Sequence, residues 1–185
     1  DLIIYAGAGV TIDQGGLSWS QLVKQVAMSN IVRATNIVSD TDIRILSTAI
    51  NPLEAATALL SHFQTAKGTA QAEEANDTLI NCIAHSLYPA ARWNRGELAR
   101  AIGAVVLMRG RNGLKTTIIT TNYDTLLEDA VRHRLDSFAQ ERDEYGLTGP
   151  IPQMSTPWAL EDVVEPSGSE VVDFIYLHGR ISASP

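Results

Sequence analysis

Three short polar groups in this chain have residue types able to do chemistry: Gly7-Ala8-Gly9 with Thr11 close behind, Asn122-Tyr123-Asp124, and His178-Gly179. A Gly-Ala-Gly turn lets backbone amides come close to a pyrophosphate, and Thr11 and a helix starting near Ser18 would add a hydroxyl and a dipole. Each group also has a plain structural reading. The glycines can simply reverse the chain, Asn122 can cap a helix whose first turn Asp124 complements, and His178 can close a strand. The capping reading leaves one thing unexplained: why Asn and Asp flank an aromatic residue at a place where ligands are expected.

The elements that must position these groups can be read from hydrophobic pattern. Leu2 to Ala6 is an apolar run with a β-branched centre that meets Gly7 at once, which predicts a buried strand followed by a tight loop. Ser18 with Gln21 three residues later predicts a capped helix start, and Leu22, Val23 and Val26 give its apolar face. From about Asp40 to Met108 the spacing is helical, through Ile43, Leu46, Leu59 and Phe63, with breaks near Asn51-Pro52, Lys67-Gly68 and Tyr88-Pro89. Thr116 to Thr121 is a β-branched run, and Tyr123 to Leu135 then reads as a helix with Leu126, Leu127, Ala130 and Val131 on one face. Residues 137 to 170 read as an irregular, charged connection before a last strand from Val171 to Leu177.

Strands that are nearly unbroken apolar runs, two of them leading into loop-then-helix segments, predict an α/β fold. The expected form is a Rossmann-like, mostly parallel sheet with helices on both faces and a helical insertion at about 40–112, all in one domain. In such sheets ligands bind beyond the carboxyl ends of the strands, and that rule selects the three polar groups. The dehydrogenase pattern GxGxxG fails, because Ile12 stands at its third glycine. The Walker pattern fails as well: Lys115 in "GRNGLKTT" has the wrong spacing and reads as a basic turn before a strand. His62, His85 and His133 fall in helical stretches without ligand spacing and read as structural.

Composition sets further bounds. The 185 residues are 45% hydrophobic, enough for a sizeable core. A net charge of −7 argues against direct nucleic-acid binding. The single cysteine, Cys82, can form neither an internal disulfide nor a four-cysteine zinc module, so no metal is expected and a reducing, cytoplasmic location fits. No apolar run approaches the ~20 residues of a membrane span. A start directly on a strand, without methionine, and an end shortly after "LHG" suggest a fragment of a longer chain.

Taken together, the motifs resemble the sirtuin-like family. "GAGVTIDQGGLSW" is similar to the family's glycine-rich opening, with Thr11 where serine is usual and Gly16-Leu17 in place of Leu-Pro. "TTNYD" is similar to the TQNID element, and "YLHG" matches the element bearing the catalytic histidine. The three lie in order across about 170 residues. Departures from the deacylase branch are the missing four-cysteine zinc module and the large helical insert. These features, the TTNYD spelling and Trp19 resemble sirtuin-like domains of bacterial anti-phage defence systems.

That resemblance implies an enzyme that hydrolyses NAD to nicotinamide and ADP-ribose, depleting an infected cell. It implies that Gly7, Ala8, Gly9 and Thr11 hold the pyrophosphate and that Asn122 holds the nicotinamide ribose and a water. Asp124 would help fix the nicotinamide side, and His178 would act as base. Homo-oligomers, a HerA-like ATPase or an Argonaute protein are the partners it suggests. Two alternatives stay open: a protein deacylase or ADP-ribosyltransferase, and a non-catalytic module that senses NAD or ADP-ribose.

Overall fold

The structure, a computed structural model, describes residues 1–65, 69–88, 96–156 and 171–181. Its elements run β1 (Leu2–Ala6), α1 (Ala8–Asp13), α2 (Trp19–Met28), α3 (Asn30–Thr35), α4 (Asp40–Thr48), α5 (Pro52–Thr65), α6 (Thr69–Leu87), α7 (Glu97–Arg111), β2 (Thr116–Thr120), α8 (Leu126–Tyr145), β3 (Gln153–Ser155) and β4 (Val171–Tyr176). They fall into two compact units. One comprises residues 1–16 with the described part of 93–182, and the other is built from 17–92.

The first unit is the expected α/β fold. Its four strands form an all-parallel sheet in the order β1-β2-β4-β3. Pairing Ile4 with Ile118, and Ile118 with Phe174, puts Leu2, Ile4, Ala6, Thr116, Ile118, Thr120, Val172, Phe174 and Tyr176 on one face. That face carries the core, closed by Val10 of α1, Ala99, Val106 and Leu107 of α7, and Leu127, Val131, Leu135 and Phe138 of α8. The alternate residues point the other way, and there Ile3 (55%) and Tyr5 (76%) are exposed on the edge strand β1.

Asp173 lies on that alternate face yet is buried, and Lys115 pairs with it at 3.1 Å. The basic turn before β2 thus neutralises a carboxylate that a parallel sheet would otherwise strand away from water. Asp13, the last residue of α1, accepts hydrogen bonds through Oδ2 from the Leu98 and Ala99 amides (2.9 and 3.3 Å) and so caps α7 from a distant point in the sequence. A Cβ at Gly96 would collide with that carboxylate, which explains a glycine at the helix entrance.

Among the described residues, the regular elements of the second unit are all helices. The capping box foreseen at Ser18 is present: Gln21 N donates to Ser18 Oγ and Ser18 N to Gln21 Oε1. Leu22, Val23 and Val26 form the buried stripe of α2, joined by Ile43, Leu46, Leu59 and Phe63. Asn51 caps α5, its Oδ1 accepting from the Leu53 amide, so the break at Asn51-Pro52 falls where the proline indicated. The breaks placed at Lys67-Gly68 and after Tyr88 lie on or against residues outside the described set.

Two stretches differ from the sequence reading. The segment after 137 is not irregular throughout. Helix α8 continues to Tyr145, where Gly146 ends it in the left-handed conformation (φ 64°), and Gln153–Ser155 adds a short strand. Nor does α8 begin at Tyr123; it starts at Leu126 because the Asp124 carboxylate accepts from the Leu126 amide at 3.1 Å and fixes the first turn there.

Candidate functional site

Parallel pairing of β1 with β2 and of β2 with β4 brings their carboxyl ends side by side, and with them all three polar groups. Backbone bonds continue the sheet past its last paired residues. The Thr121 amide donates to Ala6 O (3.2 Å), Leu177 N to Thr120 O (3.0 Å), and Ile181 N to Tyr123 O (2.7 Å). The turn expected after β1 is instead the start of a helix: Gly7 is the extended N-cap and Ala8 opens α1.

Asn122 does not cap α8. Its amide Nδ2 donates to Gly7 O at 3.0 Å and to Thr11 Oγ1 at 2.8 Å, so the side chain crosses from the end of β2 to the end of β1. The Thr11 hydroxyl in turn donates to Asp124 Oδ2 at 2.7 Å. Thr11 and Asp124 are both buried, at 4% and 6% exposure. Thr11's hydroxyl thus links the Asn122 amide to the Asp124 carboxylate. Burial pushes the Asp124 carboxyl above the usual aspartate range, with the Thr11 hydroxyl and the Leu126 amide pulling the other way.

His178 stands just past β4 and is exposed. Its ring faces that of Tyr123, centroids 6.1 Å apart and tilted by 33°. Asn122 and His178 therefore flank the same aromatic residue, Asn122 through the chain and His178 through space. Gly7 and Gly9 differ in surroundings. A Cβ at Gly7 would touch Thr121 Oγ1 at 3.7 Å, whereas one at Gly9 would meet nothing within 4 Å. His62, His85 and His133 lie on α5, α6 and α8, as their sequence contexts indicated.

One part of the site was not foreseen. Glu128, on α8, is fully buried. Its Oε1 accepts from Arg132 (2.6 Å) and Arg180 (3.1 Å), and its Oε2 from the Tyr176 hydroxyl (3.0 Å). A signal existed: Glu128 is in phase with Val131, Leu135 and Phe138, so an acid sat on the apolar stripe of the helix. An acid at such a position needs a cation, and arginines stood at 132 and 180.

Compared with protein-family models, the chain matches none, and a comparison with curated proteins gives no match. Among the described residues no group of His, Cys, Asp and Glu is arranged to hold a metal ion. Among the same residues no helix is long and apolar enough to cross a membrane.

Proposed function

We propose that this chain hydrolyses NAD to nicotinamide and ADP-ribose at the carboxyl ends of β1, β2 and β4. The observation that carries the reading is the fixed carboxamide of Asn122, held by Gly7 O and Thr11 Oγ1 beside the Tyr123–His178 pair. Support also comes from Gly9, where the protein's own packing asks for no glycine and the backbone is open to approach by a pyrophosphate.

The chemistry suits these residues. Nicotinamide leaves as a neutral pyridine, so breaking its bond to ribose needs little acid catalysis and depends on holding the sugar as positive charge develops. A carboxamide orients water without competing for its proton. An imidazole can then take a proton from that water or from a ribose hydroxyl. Water adds to the sugar carbon, His178 carries the proton, and the products separate. Asp124, tied to Thr11, keeps the Asn122 side chain in place.

NAD depletion in anti-phage defence, a cytoplasmic setting, and assembly as homo-oligomers or with a HerA-like ATPase or an Argonaute protein belong to the same proposal. They are drawn from the motif resemblance. The test is to follow free nicotinamide after incubation with NAD, with and without an acetylated peptide. Asn122→Ala and His178→Ala should each lower release by about 10²–10⁴-fold while circular dichroism shows an intact fold. Full activity in either variant overturns the assignment. Release that requires the peptide would make the protein a transferase, and binding without release a sensor.

A further inference from the structure

The buried carboxylate of Glu128 has no part in the proposed chemistry, yet it is bound on both sides of the histidine segment. Tyr176 comes two residues before His178 and Arg180 two residues after, and both donate to Glu128, at 3.0 and 3.1 Å. The intervening Leu177-His178-Gly179 is therefore a short staple with both ends fixed to one side chain of α8. Gly179 has φ +88°, a left-handed conformation that turns the chain back so that Arg180 can reach the carboxylate. The Arg180 guanidinium also lies 5.9 Å from the Tyr176 ring centre, closing the staple upon itself. Arg132, one turn along α8, donates to the same oxygen as Arg180 and helps hold a charge that has 0% exposure.

We infer that Glu128 is a positioning residue: through Tyr176 and Arg180 it sets where the His178 ring stands against Tyr123. This deepens the NAD-hydrolase reading and rests on it for the consequence in catalysis, while the staple itself is a property of the fold. An ion pair buried merely for stability would not need to grip the chain on both sides of one exposed histidine. A staple must, because an exposed ring on a free turn samples many orientations, and a misplacement of ~1 Å at a reacting group can cost ~10²-fold in rate.

The experiment uses Arg180→Ala, Arg180→Lys and Tyr176→Phe, which change the partners and leave Glu128 in place. Two readouts are taken: amide hydrogen exchange at Leu177 and Ile181 by NMR, and the steady-state kinetics of nicotinamide release. For Arg180→Ala, exchange at these two amides should accelerate by about tenfold or more while amides in the centre of β2 stay protected. The kcat should fall by ~10²-fold with KM within about threefold, and Arg180→Lys should recover part of the loss. Tyr176→Phe should show the same pattern more weakly, and serves alone should Arg180→Ala fail to fold. Unchanged exchange in Arg180→Ala and Tyr176→Phe overturns the positioning role. So does a loss of protection spread evenly over the sheet. If the native protein releases no nicotinamide, the functional reading fails while hydrogen exchange still decides whether the staple exists.

Discussion

Asp124, just before α8, and Glu128, in its first turn, are both shut off from water, but they are held by opposite chemistry. Asp124 is surrounded by neutral donors, the Thr11 hydroxyl and the Leu126 amide. Glu128 takes two guanidiniums and a phenol. The first carboxylate ties the end of β2 to α1, and the second ties α8 to the end of β4. Neutral hydrogen bonds make the first tie a modest one, whereas the paired charges make loss of the second carboxylate expensive. The two neighbouring strand ends are thus fastened by a soft tie and a hard one.

The sharpest way to break this comparison is Glu128→Ala, which leaves the part-buried Arg180 and the Tyr176 hydroxyl without their shared acceptor. It should lower the unfolding free energy by about 3–5 kcal/mol in urea titrations. A value near that of an ordinary surface ion pair, below ~1 kcal/mol, would show that the hard tie is no tie. Thr11→Val keeps the shape but deprives Asp124 and Asn122 of one partner each. Its cost should be smaller, about 1–3 kcal/mol by the same titration.

The smallest effect is a pH dependence of the soft tie. Because burial raises the Asp124 value, the folded protein holds that proton more tightly than the unfolded chain does. Below the ordinary aspartate value of about 3.9 both states are protonated and the contribution is complete. As pH rises from there through the raised folded-state value, the unfolded chain gives up its proton first and stability falls. Urea titrations across this range should therefore show the native protein losing stability relative to Asp124→Asn as pH increases. A difference that is flat, or that grows in the native protein's favour, contradicts the neutral-donor account.

What the sequence disclosed about these ties follows from how each is built. β1, β2 and β4 were legible because their apolar runs are long and bounded by glycine or polar residues. The Ser18 capping box was legible because both its members are local. Gln153–Ser155 was not, since three residues carry no period and the strand exists only because β4 lies beside it. The last turns of α8 were obscured because Gln140 to Tyr145 is mostly exposed and polar, although Phe138 continued the buried stripe. At the site, residue types marked Asn122, Asp124 and His178, but the Thr11–Asp124 bond joins positions 113 apart and has no local signature. Glu128 alone was written in the helical phase, as an acid where a leucine would have packed.

The Asp13 cap on α7 reaches beyond helix stability. It fastens the point where the chain leaves the sheet unit to the point where it comes back, so some eighty intervening residues begin and end at one spot. Loop closure grows only logarithmically with length, and with its ends pinned that excursion can lengthen, shorten or be exchanged at little thermodynamic cost to the strands. The helical module is in that sense a cassette, open to variation while the strand ends stay as they are.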